Sequence, residues 1–409
     1  MWCVVEGSRT RRTQKKIDPA GRSIRAGECL GSVASGCTSL DHRGDSPSRR
    51  PGWRYPASRT LQDAFNDAKV LKNDENRVGH LLEKRKPFLC HSFRALTIVY
   101  VIYGSFMDMT ERLSGCLIGL AVGDALGTSL EFELRDCFDP IDDLIGGGPF
   151  ELEAGEWTDD TSMALCLANS LIHSRGFDPR DQMDRYVRWD REGYCSSIGS
   201  CFDIGMTVKA ALDAFEETQE PFSGPTDPLS AGNGSIMRLA PVPMFYNSNY
   251  QQAVYYSGES SRTTHGAAES VAACHLLGSL LWHALNGADK SALLTSSVES
   301  LLTISISLPK KIKAIAEGCY RTKHRDDISG NGYVVDSLEA ALWCFYQTET
   351  YRDAVLLAAN LGDDADTTAA ICGQLAGAHY GLEAIPSEWR QRLCQYEVIA
   401  QTADALRSV

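Results

Sequence analysis

Two short stretches of this sequence concentrate acidic and hydroxyl side chains at predicted helix starts. Residues 158–161 read Thr-Asp-Asp-Thr, and residues 363–368 read Asp-Asp-Ala-Asp-Thr-Thr. A run of small and apolar residues follows each stretch, at 163–172 and at 369–378. A helix that is apolar on all sides is buried, so these acidic starts are predicted to lie near the protein interior. A buried carboxylate needs a cation or a set of hydrogen-bond donors.

Helix capping is the simplest interpretation of either stretch alone, because Thr and Asp satisfy the free N–H groups of a first turn. One capping residue is enough, however, and each stretch carries several. Carboxylates beside hydroxyls are suitable ligands for hard cations such as Mg²⁺ or Mn²⁺. Two such clusters facing each other could hold a pair of ions roughly 3.5–4 Å apart. We therefore predict a site for two metal ions.

Charge is distributed unevenly along the chain. Its 409 residues include 40 Lys and Arg against 53 Asp and Glu, for a net charge of −13. Residues 1–106 hold 19 basic and 10 acidic side chains, which leaves 21 and 43 for residues 107–409. A body this acidic is not expected to bind nucleic acid, because phosphate contacts require clustered Lys and Arg.

The cysteines indicate a reducing environment. None of the 14 cysteines has the Cys-x-x-Cys spacing that is typical of zinc sites. No secretory signal follows Met1, so we expect reduced thiols and a cytoplasmic protein.

The chain divides into two parts. Residues 1–106 are rich in Arg, Ser, Gly and Pro and lack sustained periodicity, so we predict a largely unstructured N-terminal extension. Within it, residues 61–82 could form a short polar helix, and the apolar run 95–103 is too short to span a bilayer as a helix. Residues 107–409 show almost only helical patterns, which predicts one all-α, bundle-like domain.

Glycine recurs every fourth residue along the first helix predicted in that domain, at Gly115, Gly119, Gly123 and Gly127. Each glycine costs a helix about 1 kcal/mol relative to Ala, so something must approach this face closely. We interpret the first two as contacts with another helix. The last two flank Asp124 and precede Glu131, which suggests a pocket at the helix end. These two acids also argue against a membrane helix, and no membrane association is expected.

Three further polar segments could contribute to a site. Asp203 either caps the helix that follows it or joins the acidic site. The glycine-rich segment 232–235 precedes a predicted helix, and its N–H groups would suit a phosphate. His265 lies between two predicted helices beside Arg262 and two threonines, where a structural role and a ligand-binding role are about equally expected.

From residue 109 to the C-terminus, these motifs occur in the order that is typical of one family. They resemble the ADP-ribosylglycohydrolase family, which includes the dinitrogenase-reductase-activating glycohydrolase and the ADP-ribosylarginine and ADP-ribosylserine hydrolases. The resemblance is carried by Gly115–Phe132, Trp157–Thr161, Cys201–Gly205, Gly232–Arg238, Ser261–His265 and Gly362–Thr367. It implies a single orthogonal bundle of α-helices with a binuclear Mg²⁺ or Mn²⁺ centre.

The resemblance also implies roles for individual residues. The expected metal ligands are Thr158, Asp159, Asp160, Asp364, Asp366 and Thr367. Substrate contacts are expected from Asp203, Asn233, Gly234, Ser235 and His265. Glu131 matches an acid that approaches the metals and the ribose, and we expect it to position the attacking water with Asp159 or Asp160.

The expected activity is metal-dependent release of ADP-ribose from a protein side chain or a small acceptor, by a protein that acts as a monomer. The linkage, whether to arginine, serine, an O-acetyl group or another acceptor, is left open. One alternative is an isoprenoid-diphosphate synthase, but no acid follows Asp159-Asp160 one helical turn later. Another is a relative that binds ADP-ribose without catalysis, which the complete ligand set disfavours. The sequence contains no serine-hydrolase, zincin or P-loop motif.

Overall fold

The computed structural model describes residues 109–304 and 306–407, and the predictions for residues 1–106 lie outside these ranges. Within them, regular structure consists of α-helices and short 3₁₀ turns, with isolated β-bridges at Gly147–Leu152 and Gly232–Tyr333. The all-α prediction is therefore confirmed. The helices are α1 (Met109–Gly127), α2 (Asp159–Ser174), α3 (Pro179–Glu192), α4 (Met206–Thr218), α5 (Pro241–Phe245), α6 (Tyr250–Arg262), α7 (Ala268–Leu285), α8 (Lys290–Thr303), α9 (Lys310–Ala316), α10 (Val334–Gln347), α11 (Tyr351–Ala359), α12 (Ala365–Tyr380), α13 (Ser387–Arg392) and α14 (Tyr396–Arg407).

Helices α1 and α12 form the centre of the bundle and pack backbone to backbone. A Cβ atom added at Gly119 would lie 2.5 Å from the carbonyl oxygen of Gly373, and one at Gly123 would lie 2.2 Å from that of Ala369. Real Cβ atoms do not approach an oxygen this closely, so only glycine fits this seam. Residue numbers rise on α1 as they fall on α12, so the two helices run antiparallel.

A cavity does lie beside Glu131, just after α1, as predicted, but the last two glycines of α1 have a different role. Gly123 and Gly127 do not open a pocket but continue the contact with α12, because a Cβ at Gly127 would lie 2.4 Å from the oxygen of Ala365. The end of α1 is therefore held against the start of α12, and the chain segments that carry Asp124 and Asp366 meet there.

The remaining helices surround this pair. α12 also packs on α10 and α11, and α2 packs beside α1 with α3 and α14 on its other sides. α1, α2 and α12 are buried over most of their length, as their apolar patterns predict. Met109–Leu130 is long and apolar enough to cross a membrane, but 94% of its most apolar window is buried inside the bundle. That is the environment of a core helix.

Amphipathic patterns in the sequence predict one helix over residues 309–320 and one over residues 386–407, and the structure differs from both in extent. The predicted helix 309–320 ends as α9 at Ala316, and a 3₁₀ turn follows at Cys319–Thr322. The predicted helix 386–407 is divided into α13 and α14, because Leu393 has a non-helical ψ of 122° and Gln395 adopts a left-handed conformation with φ of 50°. Such a φ cannot continue a right-handed helix.

Replacing Gly123 with alanine is expected to destabilise the fold. The added methyl group would meet backbone atoms of Ala369 and Ala370, at 2.2–3.0 Å, and these atoms cannot rotate away as a side chain could. We expect a loss of roughly 1–3 kcal/mol or more, which exceeds the helix propensity gained from alanine. Chemical denaturation of the purified chain measures this change.

Gly205→Ala is the matched control. Gly205 has φ of −66°, and a Cβ there would meet no atom within 4 Å. Its free energy of unfolding should stay within about 0.5 kcal/mol of the parent value. A Gly123→Ala protein as stable as the Gly205→Ala protein would contradict the backbone contact between α1 and α12.

Candidate active site

The two acidic stretches of the sequence meet in space. Thr158 Oγ1 lies 3.1 Å from Asp366 Oδ2, and Thr367 Oγ1 lies 3.3 Å from Asp160 Oδ2. All four residues are at least 95% buried. The structure therefore brings the start of α2 and the start of α12 into one cluster, as the two-metal prediction requires.

Capping does not explain these residues. Thr158 and Asp364 occupy the N-cap positions of α2 and α12, yet neither side chain makes a capping hydrogen bond to its own helix. The Thr158 hydroxyl instead contacts Asp124 and Asp366, and Asp364 Oδ2 accepts a hydrogen bond from Asn233 Nδ2 at 2.8 Å. Their side chains serve contacts between helices rather than the first turn of one helix.

Glu131 joins the cluster through a short backbone pairing. The N–H of Phe132 donates to the oxygen of Asp363 at 2.7 Å, and the N–H of Asp363 donates to the oxygen of Glu133 at 2.9 Å. Both Phe132 and Asp363 have positive φ, near 60°. The segment after α1 is thereby fixed beside the segment before α12, and the Glu131 side chain is buried with the aspartates.

Asp203 completes the group. It does not cap a helix, since α4 begins at Met206 with Gly205 as its N-cap. It lies instead in a left-handed conformation with φ of 56°, and such outliers are concentrated at functional sites. Oxygen atoms of Asp203, Glu131 and Asp366 all lie within 4.8 Å of one another. Of the two roles left open from the sequence, the structure places it in the acidic site.

The crowded carboxylates perturb one another. Burial first, and then neighbouring negative charges, raise the pKa values of Asp159, Asp160 and Asp366 well above the ordinary aspartate value. The same causes raise the pKa of Glu131 to about 9 and that of Asp203 to about 7. Without a cation, these groups therefore hold protons that exposed carboxyl groups would have lost.

The donor set fits divalent cations. Asp160 Oδ1 and Glu131 Oε2 are buried and have no hydrogen-bond partner among the described residues. Unsatisfied carboxylate oxygens are costly inside a protein unless a cation or a proton compensates them. All the candidate ligand atoms are oxygens, from carboxylates and from Thr158 and Thr367, which is the set that Mg²⁺ and Mn²⁺ prefer.

A cavity of about 380 Å³ opens onto the acidic cluster. Four carboxylates line it, from Glu131, Asp159, Asp203 and Asp364, and no Lys or Arg of the described chain does. Asn233, Gly234 and His265 also line it. Met206, at the start of α4, also borders the cavity and is 91% exposed.

His265 lies between α6 and α7 as predicted, and it is almost completely buried. Its Nδ1 lies 2.9 Å from Thr264 Oγ1. Burial, followed by the charge of Arg238, lowers the pKa of His265 to about 3. It is therefore neutral at physiological pH, and any contact it makes with a ligand is a contact of a neutral ring.

The predicted phosphate loop differs from expectation in two ways. Residues 234–238 form turns, and the next helix, α5, begins only at Pro241, so no helix N-terminus faces the cavity here. The Ser235 side chain is turned into the core, where it contacts Ser261 Oγ at 2.9 Å and Cys274 Sγ at 3.4 Å. Asn233 and Gly234 line the cavity and Ser235 does not.

Two residues close to the site received no role from the sequence. Asp124 is fully buried and accepts four hydrogen bonds from Thr158 and Thr161. Arg238 is also fully buried, donates to Gly234 O and Thr264 Oγ1, and lies over the ring of Tyr186. A charged residue inside an apolar pattern was the available signal in both cases.

Comparisons with known proteins agree with this arrangement. The family model described as ADP-ribosylglycohydrolase matches residues 106–409. The chain is 45% identical to the ADP-ribosylarginine hydrolase Tri1 of Serratia proteamaculans, over 73% of this chain and 80% of that protein. It is 46% identical to the protein of the same name from Pseudomonas putida, over 72% of this chain and 78% of that one.

Solved structures give the same result. A structure described as an ADP-ribosylglycohydrolase-related protein complex is 41% identical and superimposes with a TM-score of 0.65. The match covers 74% of this chain and 98% of that one. The sequence motifs, the helical fold and these likenesses agree, and the chain belongs to the ADP-ribosylglycohydrolase family of hydrolases.

Proposed function

We propose that this chain hydrolyses the glycosidic bond between ADP-ribose and the guanidinium group of an arginine side chain, with two divalent metal ions in the acidic cluster. The observation that carries the proposal is the meeting of Thr158, Asp160, Asp366 and Thr367 in one buried site beneath a cavity. The arginine linkage is supported by relatives named ADP-ribosylarginine hydrolases, at 45% and 46% identity.

The charge of the cavity favours a cationic substrate. An arginine guanidinium remains protonated in proteins, and Glu131 and Asp203, the two cavity carboxylates outside the assigned metal ligands, remain available to pair with it. Carboxylates match a guanidinium through paired, charge-assisted hydrogen bonds. A serine linkage brings no positive charge and gains nothing from these side chains.

Glu131, Asn233 and His265 are assigned different roles in hydrolysis. Cleavage at the anomeric carbon passes through an oxocarbenium-like state, whose positive charge a negative cavity stabilises. Glu131 Oε2, which has no partner among the described residues, is the group we assign to accept a proton from the attacking water. Asn233 and His265, which also line the cavity, are assigned to contact the substrate as neutral groups.

The metal centre is assigned to Thr158, Asp159, Asp160, Asp364, Asp366 and Thr367. When bound, Mg²⁺ or Mn²⁺ would supply Lewis-acid polarisation of a water molecule and ligation of the ribose hydroxyls. The chain itself keeps the six ligands in place through the contact of α1 with α12. Ten free cysteines among the described residues support a cytoplasmic location for this activity.

Linkage choice is tested by comparing two peptides, one ADP-ribosylated on arginine and one on serine. We expect release of ADP-ribose from the arginine peptide with kcat/KM at least about 100-fold higher, because binding of a charged partner discriminates by a few kcal/mol. Chromatography of free ADP-ribose gives both rates. Equal or faster release from serine would contradict the assigned linkage while leaving the family assignment intact.

Loss of the metal ligands should abolish this activity. In the double variant Asp364→Asn, Asp366→Asn we expect kcat/KM to fall by more than about 1,000-fold, because two ligands lose their charge. Asp363→Asn is a closely matched control, since it changes the adjacent acid and Asn tolerates the left-handed backbone of Asp363. The control should keep activity within about threefold. Full activity in the double variant would refute the two-metal assignment.

Asp160→Asn should stabilise the metal-free protein and remove its response to metal. When the metal-free chain folds, Asp160 must take up a proton or stay charged among other acids, and one of its oxygens is unpartnered among the described residues. Asn avoids this cost, so the free energy of unfolding should rise by roughly 1–3 kcal/mol. Mn²⁺ at 100 times its Kd should raise the free energy of unfolding of the parent chain by about 2.7 kcal/mol, and that of the variant by much less. Thermal unfolding with and without Mn²⁺ measures both changes. A variant less stable than the parent without metal would contradict charge crowding at Asp160.

A further inference from the structure

Asp124 makes a set of contacts that no catalytic step above uses. Its Oδ1 accepts hydrogen bonds from the N–H and the Oγ1 of Thr158, both at 2.9 Å. Its Oδ2 accepts from the N–H of Thr161 at 2.9 Å and from Thr161 Oγ1 at 2.6 Å. Each oxygen accepts at least one hydrogen bond, because a backbone N–H can only donate. Burial raises the pKa of Asp124, and the hydrogen bonds from Thr158 and Thr161 oppose that rise.

The hydroxyl of Thr158 has one hydrogen and two carboxylates within reach. Oγ1 lies 2.9 Å from Asp124 Oδ1 and 3.1 Å from Asp366 Oδ2. The hydrogen can point to only one of them. When the hydrogen points to Asp124, the lone pairs of Thr158 Oγ1 remain free on the side of Asp366. A cation bound by both Thr158 and Asp366 would need those lone pairs.

The two oxygens of Asp124 bind different threonines, so the contact with Thr161 can be removed without removing the contact with Thr158. Its hydroxyl and N–H contact only the other oxygen of Asp124, and Thr161 has no place among the assigned metal ligands. Asp124 therefore binds Thr158, which is an assigned metal ligand, and Thr161, which lies in the first turn of α2 and is not. The carboxylate comes from α1 and satisfies two N–H groups in the first turn of α2, where Thr158 itself provides no cap.

We propose that Asp124 is a positioning residue, which holds the Thr158 hydroxyl with its oxygen turned toward Asp366 and thereby sets the affinity of the site for divalent metal. The proposal rests on the metal centre assigned above and concerns a residue outside its ligand set. Without the Asp124 carboxylate, the Thr158 hydrogen turns to Asp366 and occupies a lone pair that would otherwise bind the cation. Partners of this kind typically change metal affinity by 10- to 100-fold.

The test is calorimetric titration of the metal-free full-length chain with Mn²⁺. For Asp124→Ala we expect a Kd for Mn²⁺ that is 10- to 100-fold higher than that of the parent. Asp124→Leu, which has a similar shape but offers no acceptor to either threonine, should raise the Kd at least about tenfold. Thermal unfolding without metal shows how much of each protein is folded during the titration.

Thr161→Ala is the matched control. It removes one hydrogen bond to the same carboxylate and leaves the contact between Asp124 and Thr158 intact, so its Kd should stay within about threefold of the parent even where its unfolding midpoint falls. A Kd within threefold of the parent for Asp124→Leu would overturn the proposal, as would equal increases in Kd for Asp124→Leu and Thr161→Ala. If Asp124→Ala does not fold, the comparison of these two variants decides the question. A parent chain that binds no Mn²⁺ would instead refute the metal centre, and the role of Asp124 with it.

Discussion

Close contact between the backbones of α1 and α12 is the constraint on which the site depends. The glycines of α1 meet carbonyl oxygens of α12 at distances that exclude any side chain, and the two helices run antiparallel. This geometry places the end of one helix at the start of the other. Asp124 and Asp366, which are 242 positions apart in the chain, therefore contact the same hydroxyl group of Thr158.

Such rigidity is needed because the site is electrostatically unfavourable when it holds no cation. Buried carboxylates with raised pKa values surround one another, and two of their oxygens have no partner among the described residues. Like charges at this spacing would separate if the backbone allowed it. The glycine seam and the many buried apolar side chains of α1, α2 and α12 oppose that separation. The packing energy of the core therefore holds the carboxylates of the acidic cluster close together.

The sequence predicted the fold class, most helices and the acidic residues at the starts of α2 and α12, because apolar periodicity and clusters of one residue type are local properties. It could not assign Asp124, whose partners lie on another helix and are recognised only through hydrogen-bond geometry. It also placed a helix directly after Asn233, where turns occur, since local preference does not reveal that the chain must bend back before Pro241. Ser235 shared a motif with Asn233 but faces the core, and only the turn conformation determines which of the two lines the cavity.

The paired backbone bonds between the Glu131 segment and Asp363 have a dynamic consequence. Moving Glu131 away from Asp364 would break both bonds, at a net cost of roughly 0.5–1.5 kcal/mol each, and would disturb two residues already held at positive φ. This wall of the cleft is accordingly assembled before any substrate arrives. We expect a bulky ligand to enter and leave past Met206, which borders the same cavity and whose side chain is almost entirely in solvent.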